Sequence, residues 1–471
     1  MRTRRFALFA ASLLVGLSSL GALSRGEMKE LREELDTVVS STTLDPEGRE
    51  YRNAVVLLES PSHSFRHTAA SGIGSVDDRS PMSPDHQFYI ESLTKSFTAT
   101  IVLQLAEEGR LGERGLEATL GELGVFPPEV LDQLHRIGDA SYGPGITVGQ
   151  LVRHRTGMKN FTYEDAGGPD SGSTDLGFAR NSFLGVLVGD PERGYAGLMQ
   201  CARNHLPEGA DLIQSLASNG IPDECDPSSY YFYRPPFQHW DLTAWKRDPS
   251  DRFAGLLNFY LSGMNETAHF PPGEDFKYTD TNYLVLGLLV EKVTGNSLHA
   301  ELRRRIFDPL NMESSYMSYA TDPPAGKWRR ELSELWALDG IPIVKLGINR
   351  SMMWSDAGIV STVGDLNTFV RALVAGELFE DETTLQRMID LPDGVEMGYG
   401  YGVGISRKGD DTVLFHTGGA ASWWIYHMKS GITFIGTMND ATDTGRERLG
   451  RVHGGFQAAL KTHGIEMRSP F

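Results

Sequence analysis

Cysteine is nearly absent: 471 residues contain 2, Cys201 and Cys225. No paired CxxC and no HExxH stands anywhere, so the sequence offers no zinc framework. Positive charge is also in deficit. Lys and Arg number 44 against 62 Asp and Glu, a formal net charge of -18, and such an excess of carboxylates repels phosphate backbones. That argues against a nucleic-acid partner and favours solubility. Beyond the first two dozen residues no apolar run is long enough to cross a bilayer. There is no internal repeat either. A hydrophobic fraction of 40% with 23% charged residues excludes a disordered chain. The length suits one large domain or two intimate ones.

What is present begins with Arg2, Arg4 and Arg5, then an apolar run from Phe6 to Leu23 with a small-residue exit at Ala22-Leu23-Ser24. This is the pattern of an export signal over residues 1–24. The alternative is an uncleaved anchor that tethers the protein to a membrane; Gly16, Ser18, Ser19 and Gly21 weaken it as a span. Arg4-Arg5 hints at twin-arginine export. The expected location is periplasmic or secreted. In that oxidising setting Cys201 and Cys225 form one disulfide or remain two thiols.

Glu27 to Val39 has helical apolar spacing, and Ala54 to Leu58 reads as a buried strand, with a second extended piece at Phe65 to Ala70. Their hairpin order predicts an antiparallel sheet. Helical spacing follows from Ser92 to Glu108 and again from Tyr283 to Val293. The stretch 166–251 is rich in Gly, Pro, Asp and Ser and reads as an insertion with its own small core. It includes the aromatics Tyr230, Tyr231, Phe232, Tyr233, Phe237 and Trp240. Gly398, Gly400, Gly402 and Gly404 alternate at strand period, which predicts one strand with a bare face. Strands at 412–415, 423–428 and 432–438 and a final helix at 449–461 complete the chain. The expected domain spans 25–465. Its α/β part covers about 27–100 and 330–465, and its helical part about 101–329.

The sharpest chemical signal is Ser92-Leu93-Thr94-Lys95 at a helix start. Positions three apart share a helix face, so the Lys95 amine can reach the Ser92 hydroxyl, a weak nucleophile until something takes its proton. A lysine does so only if its pKa is lowered. Alone the motif is weak. Two clusters add to it: a turn carrying Tyr278 and Asp280 at the mouth of a helix, and His416-Thr417-Gly418-Gly419 at a strand edge. A tyrosine beside a lysine can shuttle protons. Glycines at a strand edge let a substrate backbone approach, and His416 adds a donor.

In this order and spacing the three clusters resemble the serine β-lactamase and penicillin-binding-protein superfamily, with its S-x-x-K, Y-x-N and K-T-G elements. They are most similar to its class C β-lactamase-like branch, which includes D,D-peptidases, D-aminopeptidases and carboxylesterases. Leu151 to Met158, Phe307 to Met312 and Ala357 to Thr362 support the likeness. The resemblance implies an α+β fold: an antiparallel sheet flanked by helices, a mostly helical subdomain, and the active site between them. It implies that Ser92 is acylated, that Lys95 shares its proton traffic and that Tyr278 is the general base. The N–H groups of Ser92 and Gly419 would form the oxyanion hole, with His416, Thr417, Gly418 and Asp280 binding substrate. No metal or organic cofactor is implied. The implied function is a serine hydrolase of small ester or amide substrates. D,D-peptidase or β-lactamase activity, or a binding protein on the same fold, are the alternatives. Asp280 departs from the family's asparagine: an ionised carboxylate only accepts hydrogen bonds, which disfavours penicillin-like recognition. Selectivity is expected to depend on the insertion and on Trp423 and Trp424.

Overall fold

A computed structural model describes residues 23–44, 52–75, 78–164, 182–226, 229, 238–241, 246–248, 254–318, 332–337, 340–392 and 394–470. Residues 1–22 of the expected leader and the aromatics Tyr230 to Phe237 lie outside these residues. The centre is a seven-stranded, wholly antiparallel sheet. Strands β1 (Asn53–Ser60) and β2 (Phe65–Gly72) come from the front of the chain; β3 (Met397–Tyr399), β4 (Gly404–Lys408), β5 (Asp411–Gly418), β6 (Ser422–His427) and β7 (Ile432–Thr437) come from the back. The order is β3-β4-β5-β6-β7-β1-β2. Val55 pairs with Thr437 and Ala70, so β1 stitches the two ends of the chain together.

Both faces of the sheet are covered, which explains why β1 is apolar at consecutive positions. Val55 and Leu57 point into one core, Ala54, Val56 and Leu58 into the other. The second core is closed by α1 (Arg25–Ser41) and the last helix, Asp443–Thr462, through Leu31, Leu35, Val39, Val452, Phe456 and Leu460. Helix α1 starts with a reciprocal cap: Glu27 N–H donates to the Ser24 hydroxyl and Ser24 N–H to the Glu27 carboxylate. Against the first core lie α2 (Thr94–Glu107), α3 (Asp280–Thr294) and α4 (Val363–Val374).

Three expectations need correcting. The alternating glycines do not form one strand: β3 and β4 are a hairpin, and Gly402 (φ 83°) turns the chain between them. A Cβ on Gly402 would stand 2.3 Å from Ala99 Cβ, and one on Gly400 2.2 Å from Met388 O. The glycines are spaced by close approach to α2 and its neighbours, not by a solvent face. Nor do the described residues of the insertion form a separate core. Phe183, Leu187, Leu198, Leu216 and Cys225 belong to the first, main core, and Cys201 and Cys225 are joined by a disulfide with a Cα–Cα distance of 5.9 Å. Trp423 and Trp424 are fully buried on opposite faces of the central strand β6, so neither shapes a substrate pocket. Among the described residues no helix is long and apolar enough to cross a membrane.

Candidate active site

Ser92 lies in a single 3-10 turn (Glu91–Leu93) that runs straight into α2. The preceding residue, Glu91, has φ 55°, a left-handed conformation that costs a non-glycine residue strain. A buried ion pair with Arg350 anchors the Glu91 carboxylate, and the Arg350 guanidinium lies 4.6 Å from the Tyr89 ring centroid. The turn is pressed against the end of β5. At Gly418 an added Cβ would fall 2.8 Å from both Glu91 Cβ and Ile90 O, and the Ser422 hydroxyl donates to Ile90 O at 2.9 Å. Gly419, exposed just past the last ladder pair Gly418–Ser422, follows beside this turn.

One turn into the helix, the fully buried Lys95 Nζ donates to Ser92 Oγ at 3.0 Å. It has three further oxygen neighbours: Asp280 Oδ1 at 2.7 Å, the Asp356 carbonyl at 3.1 Å and Asp356 Oδ2 at 3.7 Å. Burial alone pushes an ammonium down, but Asp280, Tyr278 and Asp356 outweigh it and hold Lys95 well above the ordinary lysine range. The lowered lysine expected from the sequence is therefore not found; Lys95 is a cation. Tyr278 hydrogen-bonds both Ser92 and Lys95. Burial pushes its phenol up, and Lys95 pulls it part of the way back.

The Tyr278–Asp280 turn is placed by a second loop, residues 153–160. Lys277 N–H donates to His154 O (2.9 Å), Thr279 N–H to His154 Nδ1 (3.2 Å), and the Thr281 hydroxyl to Lys159 O (2.6 Å). Arg155 reaches the Gly273 carbonyl at 2.6 Å while Gly273 N–H returns to Arg155 O at 2.7 Å. That gives Arg155 a role the sequence did not suggest, clamping the approach to Tyr278. Asn160 donates to Asp280 Oδ2 at 3.2 Å. The imidazole of His154, buried and held neutral by burial and by Lys95, lies tilted by 36° against the Tyr278 ring, centroid to centroid 4.2 Å.

His416 behaves differently from expectation. Its Nδ1–H donates to Thr417 O at 2.9 Å, so Nε2 must accept, and it does so from the Tyr399 hydroxyl at 2.9 Å. Burial, then Lys95, pushes it down to about 3. It is a neutral, engaged ring and not a free donor. Its partner Tyr399, together with Glu91, Arg350, Asn160 and Asp356, went unread in the sequence. Each makes its contact from a segment distant in the chain, and no local spacing reports such a contact.

Ser92, Tyr278, Asp280, His416, Thr417, Gly418 and Gly419 all line one cleft of about 1020 Å³; Lys95 lies beneath it. Its mouth is apolar. Of the six large hydrophobic side chains exposed among the described residues, four stand on its rim: Tyr163, Phe276, Val395 and Met397.

A family model described as Beta-lactamase matches residues 52–202 and 242–455. The chain belongs to the Beta-lactamase family. The gap in that match falls inside the 166–251 stretch. Within the family, the chain is 28% identical over 313 residues to the D-aminopeptidase of Brucella canis, covering 62% of this chain and 54% of that protein. It thus spans about half the length of the curated relatives it matches. Among solved structures, D-amino acid amidase from Ochrobactrum anthropi SV3, complexed with L-phenylalanine amide, superposes with TM-score 0.58 at 18% identity, covering 92% of this chain and 99% of that one. The octameric penicillin-binding protein homologue from Pyrococcus abyssi gives 0.58 at 18% identity, covering 94% and 78%. At these identities the likeness to both structures is one of fold.

Proposed function

We propose that this Beta-lactamase family member is an exported serine hydrolase that forms an acyl-enzyme on Ser92 from small amino-acid amides, peptides or esters. The observation that carries the reading is the contact of Ser92 Oγ with Lys95 Nζ at 3.0 Å, with Tyr278 bonded to both, at the wall of a cleft.

With Lys95 held as an ammonium, it is not the base. The proton path consistent with this charge runs through Tyr278. As Ser92 Oγ attacks the carbonyl carbon, its proton passes to the Tyr278 oxygen. The phenol's own proton moves ahead of it to the leaving nitrogen or oxygen, so the Tyr278 oxygen passes through phenolate character and ends as it began. The Lys95 charge steadies the phenolate character that develops on the way. The N–H groups of Ser92 and Gly419 face the developing oxyanion; a single such donor is worth about 3–4 kcal/mol of barrier. Water then enters where the leaving group departed, and the same relay runs in reverse.

The D-aminopeptidase relatives support a substrate with a free α-amino group, and the apolar rim supports a bulky apolar side chain beside the scissile bond. Asp280, already engaged by Lys95 and Asn160, offers no donor to an acylamide carbonyl. That ranks D,D-peptidase and β-lactamase activity below amino-acid amide and ester hydrolysis. Export rests on the basic and apolar leader. The deciding experiment is active-site labelling: a phosphonate probe should add its mass to the peptide holding Ser92 and to nothing in Ser92→Ala. Labelling elsewhere, or none, would overturn the assignment.

A further inference from the structure

Three carboxylates, Glu91, Asp280 and Asp356, stand at the floor of the cleft. Two have a charged partner within hydrogen-bonding distance. Glu91 is paired with Arg350, and Asp280 is held by Lys95 on one oxygen and by Asn160 on the other. Asp356 does not. Its side chain is 4% exposed; among the described residues its nearest cation is Lys95 at 3.7 Å, beyond hydrogen-bonding distance, and the one hydrogen bond it accepts comes from its own backbone N–H. A buried carboxylate normally collects donors. This one lines the cleft and has a vacancy for a donor from outside.

The backbone around it is rigid, so the vacancy is not slack. Thr98 donates to Ser355 O at 2.7 Å, Ile359 N–H to the Thr94 hydroxyl at 3.2 Å, and Gly358 N–H to Trp354 O at 2.8 Å. Two rungs of α2 therefore fix the segment that carries Asp356. Lys95 Nζ lies 3.0 Å from Ser92 Oγ and 3.7 Å from Asp356 Oδ2, so the nucleophile and the carboxylate flank one atom.

Charge points the same way. Against Lys95 and Arg350 stand Glu91, Asp280 and Asp356; His154 and His416 are neutral. With all three carboxylates ionised the floor carries one excess negative charge. At the rim, Arg446 is paired with Asp443, while Arg155 and Arg153 keep their charge but are directed away from the floor, onto the Gly273 carbonyl and over the Tyr401 ring.

We infer that Asp356 is the subsite for the substrate's ammonium group, setting a preference for acyl donors that carry a free α-amine next to the scissile carbonyl. This deepens the proposed function and rests on it. An arriving ammonium supplies the missing donor and cancels the excess charge. It binds best where Asp356 is ionised and the amine still protonated, a window bounded below by Asp356 under the influence of Lys95, Asp280 and Glu91, and above by the amine itself.

The test compares wild type, Asp356→Asn and Asp356→Glu on an amino-acid p-nitroanilide and on its N-acetyl counterpart, which lacks the charge. Asparagine keeps the backbone contact to Lys95 and removes only the carboxylate charge. The expected result is a loss in kcat/KM on the free-amine substrate at least tenfold larger than on the N-acetyl substrate, seen mainly in KM and partly rescued by glutamate. Equal losses on both substrates would show that Asp356 only positions Lys95, and no loss on either would also overturn the subsite. Should neither substrate turn over, calorimetric binding of an amino-acid amide against its N-acetyl form decides. Tighter binding of the free amine to wild type, abolished in Asp356→Asn, supports the subsite even if Ser92 resists the phosphonate and the hydrolase reading falls. Equal binding of the two forms overturns it even if Ser92 is labelled.

Discussion

Gly418→Ala should damage both the fold and the reaction, and for one steric reason. Gly418 is not in the left-handed region, so alanine meets no conformational penalty. Its Cβ would instead stand 2.2 Å from Ser422 Oγ and 2.8 Å from both Glu91 Cβ and Ile90 O. Only the hydroxyl can rotate away, and doing so breaks its 2.9 Å bond to Ile90 O. That bond is worth about 1 kcal/mol. The clash with a backbone oxygen, relieved by shifting β5, adds about 1–3 kcal/mol of overpacking. A total loss of about 2–4 kcal/mol should appear in urea denaturation. The shift also carries Gly419 away from Ser92, and losing an oxyanion donor lowers kcat by about 10²–10³. Gly419→Ala supplies the contrast. Its Cβ would meet nothing nearer than Glu91 Oε2 at 3.8 Å, so its stability should stay within about 0.5 kcal/mol of wild type. The assay is kcat on a p-nitrophenyl ester beside denaturation midpoints for both variants. Wild-type stability and kcat in Gly418→Ala would refute the packing of β5 against the nucleophile turn.

Lys95→Ala removes the cation shared by Asp280 and Asp356 and should cost about 3–5 kcal/mol, most of it recovered in the double variant Lys95→Met, Asp280→Asn; a single variant as stable as wild type at pH 8 would count against the network. Asp280→Asn restores a donor, so the rate on β-lactams or D-alanyl peptides should rise relative to simple esters, and an unchanged ratio would remove that account. Asp356 is pushed up to about 7, first by burial and then by Asp280, with Lys95 opposing. An acid harder to ionise in the fold than in the unfolded chain destabilises as it ionises. Asp356→Asn should therefore exceed wild type in stability above about pH 7, and the gap should close as pH falls toward about 4. At about 1.4 kcal/mol per pH unit the ceiling is about 4 kcal/mol, lowered by what Lys95 loses; a gap that widens in acid would refute it.

The nucleophile was legible because its geometry is local: three residues along a helix start fix which side chains meet. The meander β5 to β7 was legible for the same kind of reason, a period of two between turns. The three clusters do meet in one cleft, an outcome that the order of the motifs implied, but inferences about packing that rested on local spacing alone failed. Gly398 to Gly404 looked like one strand because alternation was read as a face, whereas two of those glycines make room for Met388 O and Ala99. Trp423 and Trp424 were expected to bear on selectivity although the sequence does not show which way they point; both faces of their strand are covered, and each lies in a core. Asp356 stood one residue before a segment recognised for its resemblance. Nothing in its spacing told that its side chain lies against a lysine 261 positions away. Asp280 was read from the sequence as an acceptor where the family has an amide, and the structure adds that it faces the Lys95 ammonium at 2.7 Å.

The persistent cation at Lys95 constrains the chemistry more than any other feature. In water an ammonium beside a serine is a poor partner for deprotonation, since it has no lone pair to offer. In this cleft it is bracketed by Asp280 and Asp356 and cannot readily lose its proton without leaving two carboxylates uncompensated in a dry site. Proton transfer is thereby confined to groups that start neutral, and of those bonded to Ser92 only Tyr278 qualifies. Tyr278→Phe should consequently leave Lys95 and its ion pairs intact while cutting acylation far more than substrate binding. A variant that keeps near-normal acylation would mean the proton leaves Ser92 by a route that avoids the phenol, which the charge state of Lys95 does not allow.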